Sequence, residues 1–241
     1  MGQAGMADAA VLCGGLGTRL RPALPDQPKS LAEVGGQPFL DRLLHQLTAA
    51  GCRRIVLCTG YRADAIEHRY AAWKGGAELV FSPESAPLGT AGALALARRH
   101  LRTDPVLIAN GDSIVLELDV AALVQAAEAA AGALAVVAGD GRTDTGAITL
   151  DASGRILSFT EKPGHARAPA PINAEPRFQS AGVYALRRRL LEAIPADAPS
   201  SLERDWFPRW LEQGLRAYVH PGPLIDIGTP ERWRQAQEQL R

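Results

Sequence analysis

Short apolar runs alternate along this chain with longer stretches whose apolar residues recur at helical spacing. Residues 9–13 form the first strand-like run. Residues 38–50 follow with Phe39, Leu40, Leu43, Leu44 and Leu47 on one helical face, and Gly51 stops them. The alternation continues through a strand at 55–59, a helix at 63–72, a strand at 78–81, an alanine-rich helix at 90–101 and a strand at 105–109. Strands alternating with helices predict a largely parallel sheet covered on both faces. Ligands bind such sheets at the carboxyl ends of the strands, which is where Asn110-Gly111-Asp112 falls.

The second half of the pattern is richer in strands. Asp119 is placed to cap an alanine-rich helix reaching Ala131, and residues 133–138, 147–150 and 156–161 read as strands, with Asp151-Ala152-Ser153-Gly154 a hairpin turn. Residues 164–176 carry Pro169, Pro171 and Pro176 and predict a mobile loop or lid. A strand at 177–186, a helix at 201–213 and a terminal helix at 230–240, with proline in its first turn, complete the pattern. No internal repeat or linker divides the chain. Residues 7–241 are therefore expected to form one domain with halves meeting near residue 113, behind a disordered leader at 1–6.

Composition narrows the partners. Among 241 residues, 26 basic side chains balance 26 acidic ones, so no global field draws the chain to nucleic acid or an anionic membrane, and any anion site must be local. No apolar run approaches the roughly 20 residues needed to span a bilayer. The spacings of Cys13, Cys52 and Cys58 match neither zinc ligands nor a disulfide framework, which fits a soluble protein of the reducing cytoplasm. All but three of the basic residues are arginine. Two of the lysines, Lys29 and Lys162, stand in compact polar motifs where a flexible point charge differs from a planar guanidinium.

The first strand opens into Gly14-Gly15-Leu16-Gly17-Thr18-Arg19-Leu20, with Pro28-Lys29-Ser30-Leu31 downstream. Glycines let backbone N–H groups approach an anion, and Arg19 and Lys29 add fixed positive charge, a combination suited to a triphosphate. The dinucleotide fingerprint is excluded because Leu20 stands where it needs glycine, and the Walker loop because, four residues after Gly14, Arg19-Leu20 stands where it needs Gly-Lys. Four further motifs accompany the loop. Pro87-Leu88-Gly89-Thr90-Ala91 offers a flat shelf for a base or ribose with free N–H groups at a helix start, and Thr90 as its cap. Asn110-Gly111-Asp112 and Asp226-Ile227-Gly228 supply two carboxylates without nearby histidine or cysteine, which suits a hard cation such as Mg²⁺. Glu161-Lys162-Pro163 pairs a hydroxyl-accepting carboxylate with an ammonium. Taken singly, each of these motifs is also an ordinary cap, turn or ion pair.

Together and in this order, the motifs resemble those of the sugar-1-phosphate nucleotidylyltransferases over nearly the whole chain. Gly35-Gly36-Gln37-Pro38-Phe39-Leu40, Gly60-Tyr61 and Ser201-Leu202-Glu203 are most similar to the heptose-1-phosphate guanylyltransferases within that family. The resemblance implies a nucleotide-diphospho-sugar transferase fold, an α/β three-layer sandwich with a mixed, mostly parallel central sheet. Its first half would bind nucleotide and its second half sugar phosphate. It implies catalytic roles for Arg19, Lys29, Asp112 and Lys162, and Mg²⁺ on Asp112 and Asp226. Nucleotide contacts would come from Leu12, Gly14, Gly15, Gly17, Thr18, Arg19, Lys29, Pro87, Leu88, Gly89, Thr90, Ala91 and Asn110. Sugar-phosphate contacts would come from Gly146, Glu161, Lys162, Ser180 and Gly182. Departures from the family pattern are Cys13 for alanine, Ser30 for proline, Thr145 for tyrosine and Ser180 for asparagine.

The implied partners are GTP and D-glycero-α-D-manno-heptose 1-phosphate, within a homodimer, in capsule, lipopolysaccharide or S-layer glycan synthesis. Mannose 1-phosphate with GTP and N-acetylmuramate 1-phosphate with UTP are the alternative pairs. A non-catalytic nucleotide-sugar-binding subunit and a glycosyltransferase are the competing classes. The joint presence of Arg19, Lys29, Asp112, Lys162 and Asp226 argues against the first, and the lack of a close Asp-x-Asp motif against the second.

Overall fold

The computed structural model describes residues 7–139, 146–161 and 178–240. Its strands in chain order are β1 (Ala9–Leu12), β2 (Glu33–Val34), β3 (Gln37–Pro38), β4 (Arg54–Thr59), β5 (Glu78–Pro83), β6 (Val106–Asn110), β7 (Ser113–Val115), β8 (Gly132–Ala138), β9 (Ala147–Leu150), β10 (Ile156–Thr160), β11 (Phe178–Leu186), β12 (Leu215–Val219) and β13 (Leu224–Asp226). The α-helices are α1 (Phe39–Ala49), α2 (Ala63–Tyr70), α3 (Gly89–Ala97), α4 (Val120–Glu128), α5 (Arg188–Glu192), α6 (Phe207–Trp210) and α7 (Pro230–Gln239). Among the described residues no helix is long and apolar enough to cross a membrane.

One mixed sheet takes strands from both halves of the chain. Its path is β5-β4-β1-β6-β11-β9-β10, and β8 pairs with both β11 and β12. The segment β5-β4-β1-β6 is parallel, as the alternating pattern predicts, and β11 runs antiparallel to β6, β8 and β9. Side chains of β1 separate the two faces, since alternate residues of a strand point oppositely. Ala9 and Val11 pack with buried residues of α1, α2, α4 and α7, while Ala10 packs with those of α3, α5 and α6. Burying about 25 cal/mol per Å² of apolar surface on each face is what holds this three-layer arrangement together.

Local chemistry explains where reading and structure agree. Asp119 caps α4 by accepting from the Ala122 amide at 2.9 Å, and Asp151 closes the β9–β10 turn by accepting from the Ser153 and Arg155 amides. The helix predicted at 201–213 is instead broken: Leu202–Trp206 winds as a π-helix, α6 follows, and Leu211–Gln213 tightens to 3₁₀. Pro208 is the physical cause, because it has no N–H to continue the α ladder back to Arg204. Strand β12 escaped the pattern because its apolar run is short and is broken by the exposed Arg216. The predicted lid at 164–176, Lys162 and Thr145 lie outside the described residues.

Candidate active site

β1 ends with Leu12 in register with Cys58 on one side and Asn110 on the other, so the loop that follows crosses the carboxyl edge of three parallel strands. The loop is anchored at both ends. Cys13 donates its amide to the Cys58 carbonyl, the Gly14 carbonyl accepts from the Tyr61 amide, and the Gly17 carbonyl accepts from the amides of Leu20 and Arg21. Between these anchors the amides of Gly14, Gly15, Leu16, Gly17 and Thr18 donate to no group among the described residues. A row of unspent amides is an anion cradle. Burial pushes the Cys58 thiol up to about 12, so it serves as a neutral filler beneath the loop.

The charged groups meet behind this cradle. Lys29 Nζ lies 2.5 Å from Asp112 Oδ2, and Arg19, Lys29, Gly15, Gly17, Thr18 and Asp112 line a cavity of about 310 Å³. Gly111 makes the approach possible: a Cβ there would sit 2.9 Å from both the Leu12 carbonyl oxygen and Cys13 Cβ. Asp226 arrives on the other side, because β13 pairs with β7 and the Ile227 amide donates to the Asp112 carbonyl at 3.0 Å. Its Oδ1 accepts from Arg232 Nη1 at 3.1 Å and from the Gly228 amide at 2.9 Å. A Cβ on Gly228 would touch both Asp226 Oδ1 and Lys29 Nζ, so the carboxylate and the ammonium border the same small space. Burial raises the Asp112 pKa, but the charge and hydrogen bond of Lys29, the charge of Arg19 and the Ser113 hydroxyl outweigh it and hold the carboxyl below its ordinary value.

A second, larger cavity of about 670 Å³ adjoins the loop, bounded by Leu12, Gly14, Gly15, Gly17, Thr18, Pro87, Gly89, Thr90, Asn110 and Asp112 among others. Leu88 and Ala91 do not line it. The free N–H groups expected at the start of α3 are largely spent: the Leu88 amide donates to Glu84, and those of Ala91 and Gly92 to the Ser200 carbonyl. Nor is Thr90 a cap, for it stands inside α3, after Leu88 at the N-cap position. Its hydroxyl donates to Glu203 Oε2 at 2.7 Å and accepts from the Leu202 amide at 2.8 Å. Asn110 Oδ1 is buried in the cavity wall and accepts from no described group. Such an orphan acceptor costs about 1–3 kcal/mol until a ligand donor meets it.

The sugar-side residues divide. Gly182, at φ +73°, brings β11 against Asn110 and Ser113, where a Cβ would lie 2.9 and 2.8 Å from their side chains. Ser180 Oγ is 3.2 Å from the Tyr184 hydroxyl and accepts from the Gly182 amide at 3.3 Å, which spends it on the strand itself. Gly146 makes room for the Phe159 ring, 2.8 Å from where its Cβ would be. Glu161 Oε2 lies 3.4 Å from Arg204 Nε.

Three features escaped the sequence reading. Glu84 follows β5 and puts a carboxylate into the larger cavity, a signal present only as an acidic residue at the carboxyl end of a strand. Burial raises its pKa above the ordinary glutamate value despite the Leu88 amide that Oε2 accepts. Arg232 holds Asp226, and the segment 200–204 straps the start of α3 to Glu161 through Ser200, Leu202, Glu203 and Arg204. Thr90→Val keeps the shape but cuts both bonds to the strap. It is expected to cost about 1–2 kcal/mol, read as a lower urea midpoint with unchanged slope.

Similarity to known proteins agrees with this geometry. The chain is 36% identical over 230 residues to the mannose-1-phosphate guanylyltransferase catalytic subunit beta of Drosophila pseudoobscura pseudoobscura, covering 92% of this chain and 59% of that protein. It thus spans about 60% of the length of that relative. It is 28% identical over 236 residues to the D-glycero-alpha-D-manno-heptose 1-phosphate guanylyltransferase of Aneurinibacillus thermoaerophilus, covering 97% and 98% of the two chains. The crystal structure of HddC from Yersinia pseudotuberculosis complexed with GMP-PN superposes with a TM-score of 0.82 at 29% identity, covering 98% of this chain and 100% of that one. A family model described as nucleotidyl transferase matches residues 8–241, and the chain belongs to that family.

Proposed function

We propose that this protein transfers GMP from GTP to the phosphate of a manno-configured sugar 1-phosphate, releasing pyrophosphate. The observation that carries the reaction class is the convergence of the amide cradle, Arg19 and Lys29 on two carboxylates, Asp112 and Asp226. In the proposed step a sugar-phosphate oxygen bonds to the α-phosphorus while the bond from that phosphorus to the β-phosphate's bridging oxygen breaks. The attacking oxygen is already anionic, so no general base is needed, and catalysis is alignment and charge neutralisation. The cradle and Arg19 hold the triphosphate, and Lys29 offsets charge that builds as pyrophosphate leaves. Asp112 and Asp226 present only hard oxygen donors beside the phosphate cradle, a set that fits Mg²⁺, which would neutralise phosphate charge when bound there. Lys162, from the resemblance alone, steers the sugar phosphate, with Glu161 taking sugar hydroxyls.

Guanine is supported by Glu84, the carboxylate in the base cavity, since guanine offers two donors, N1–H and the N2 amino group, on one edge. The heptose 1-phosphate is our choice of sugar because the relative named for it aligns over 97% of this chain and 98% of its own length. Mannose 1-phosphate is the second reading, favoured by the higher identity, 36%, to an enzyme named for it. Pyrophosphate release measured for four nucleoside triphosphates against heptose, mannose and N-acetylmuramate 1-phosphates tests both choices. Release is expected with GTP and a manno-configured sugar. Preference for UTP, or no release with any pair, sinks the proposal.

A further inference from the structure

We propose that an arginine-lined cavity at the far edge of the sheet is a second anion site, built for a phosphate-bearing metabolite. The cavity is about 550 Å³, within the size range of small-ligand pockets, and is lined by Arg155, Arg187, Arg189 and Arg216 with Glu128 and Glu212. Register places it opposite the nucleotide site. Asn110 ends β6 at the active edge, whereas Val106 at the other end pairs with Leu186, directly before Arg187. Gly132 of β8 pairs with both Leu186 and Leu215, and Arg155, just before β10, bridges Arg216 of β12, so these pairings bring Arg155 and Arg216 to the same end of the sheet as Arg187 and Arg189 at the start of α5.

The guanidinium groups are held in place, and mostly not by carboxylates. Arg155 donates to the Leu211 carbonyl, Arg216 to the Ser153 carbonyl and Arg187 to the Glu128 carbonyl. Backbone acceptors fix orientation but leave the positive charge uncancelled. Among the described residues, Arg187 alone of the four is ion-paired, to Asp104 at 3.0 Å, and its Nε is buried without a hydrogen-bond partner. Among the described residues Glu128 and Glu212 pair with none of the four, and Arg189 has no polar partner. In a chain whose charges balance at 26 to 26, this local surplus comes from placement. Pre-positioned arginines match phosphate oxygens in bidentate geometry, and a fork already ordered loses little entropy on binding.

Calorimetric titration of the full chain with inorganic pyrophosphate, without Mg²⁺ and at fixed ionic strength, tests this independently of turnover. Two classes of site are expected. Arg19→Ala should weaken the class at the glycine loop, and Arg189→Glu with Arg216→Glu should weaken the other at least tenfold. Arg189→Gln alone, at an exposed position with no partner to lose, should weaken the second class without moving the melting temperature. Repeating the titration with mannose 1-phosphate separates a diphosphate ligand from a phosphate monoester. The proposal is overturned by a single class that Arg19→Ala abolishes, by wild-type affinity in Arg189→Gln, or by equal displacement with sulfate at the same ionic strength. Failure of pyrophosphate release from GTP would leave this result standing, because the titration counts sites rather than turnovers.

Discussion

Asp112→Asn is expected to lower the rate of pyrophosphate release on the order of a thousandfold while leaving the fold intact. The substitution keeps size and the hydrogen bond to Lys29 but removes one of the two anions beside the phosphate cradle. Lys29 would then carry an uncompensated charge and settle on the phosphates in the ground state, which binds substrate without favouring the transition state. The stability cost should be small. An acid held below its ordinary pKa stabilises the fold above its unfolded value, roughly 3.9, and loses that contribution as pH falls through the lower folded value. At neutral pH the contribution is present, but the Asp112 side chain is 38% exposed, so solvent screens it. The prediction is therefore a large fall in kcat beside a melting temperature within a few degrees of wild type. Near-normal turnover would remove Asp112 from the reaction, and a collapse in melting temperature would make it structural.

Residues whose role depends on chain neighbours were legible; those whose role depends on distant partners were not. The glycine loop announced itself because three glycines, an arginine and a preceding apolar run lie within a dozen positions, and the parallel segment β5-β4-β1-β6 followed from the strand–helix alternation. Asp119 and Asp151 were readable for the same reason, since each bonds an amide within four residues. Thr90 was misread as a cap because its partners, Leu202 and Glu203, are more than a hundred positions away. The same separation hid the Ser200 carbonyl that consumes the amides of Ala91 and Gly92. The meeting of Asp112 with Lys29 and Asp226 rests on the β13–β7 pairing and on the close approach at Gly111, neither of which leaves a periodic trace. The identity of these residues came from the family resemblance, and their geometry from the fold.

Glu84 carries the sharpest test of the proposed function, since that proposal makes it the group that reads the base. Its Oε2 is engaged by the Leu88 amide at 3.0 Å, which fixes the carboxylate, and Oε1 lies toward Gly60, another residue of the cavity wall. A carboxylate accepts at both oxygens, so it suits the adjacent N1–H and N2 amino donors of guanine and repels the acceptor-rich edge of uracil. A hydrogen bond to a charged group is worth about 1.5–3 kcal/mol. Glu84→Gln is therefore expected to lower kcat/KM for GTP about a hundredfold, with kcat/KM for UTP changed only a few-fold. The amide still accepts at one atom but presents a donor at the other. Acidity offers a second readout. Burial raises the Glu84 pKa, so as pH falls this carboxylate protonates before an ordinary one, and the KM for GTP should rise. Asp112, held low, stays ionised over the same range and cannot supply that limb. In the Glu84→Gln enzyme the acid limb of the GTP profile should vanish. Its persistence there, or an equal loss with GTP and UTP, would show that Glu84 shapes the cavity without reading the base.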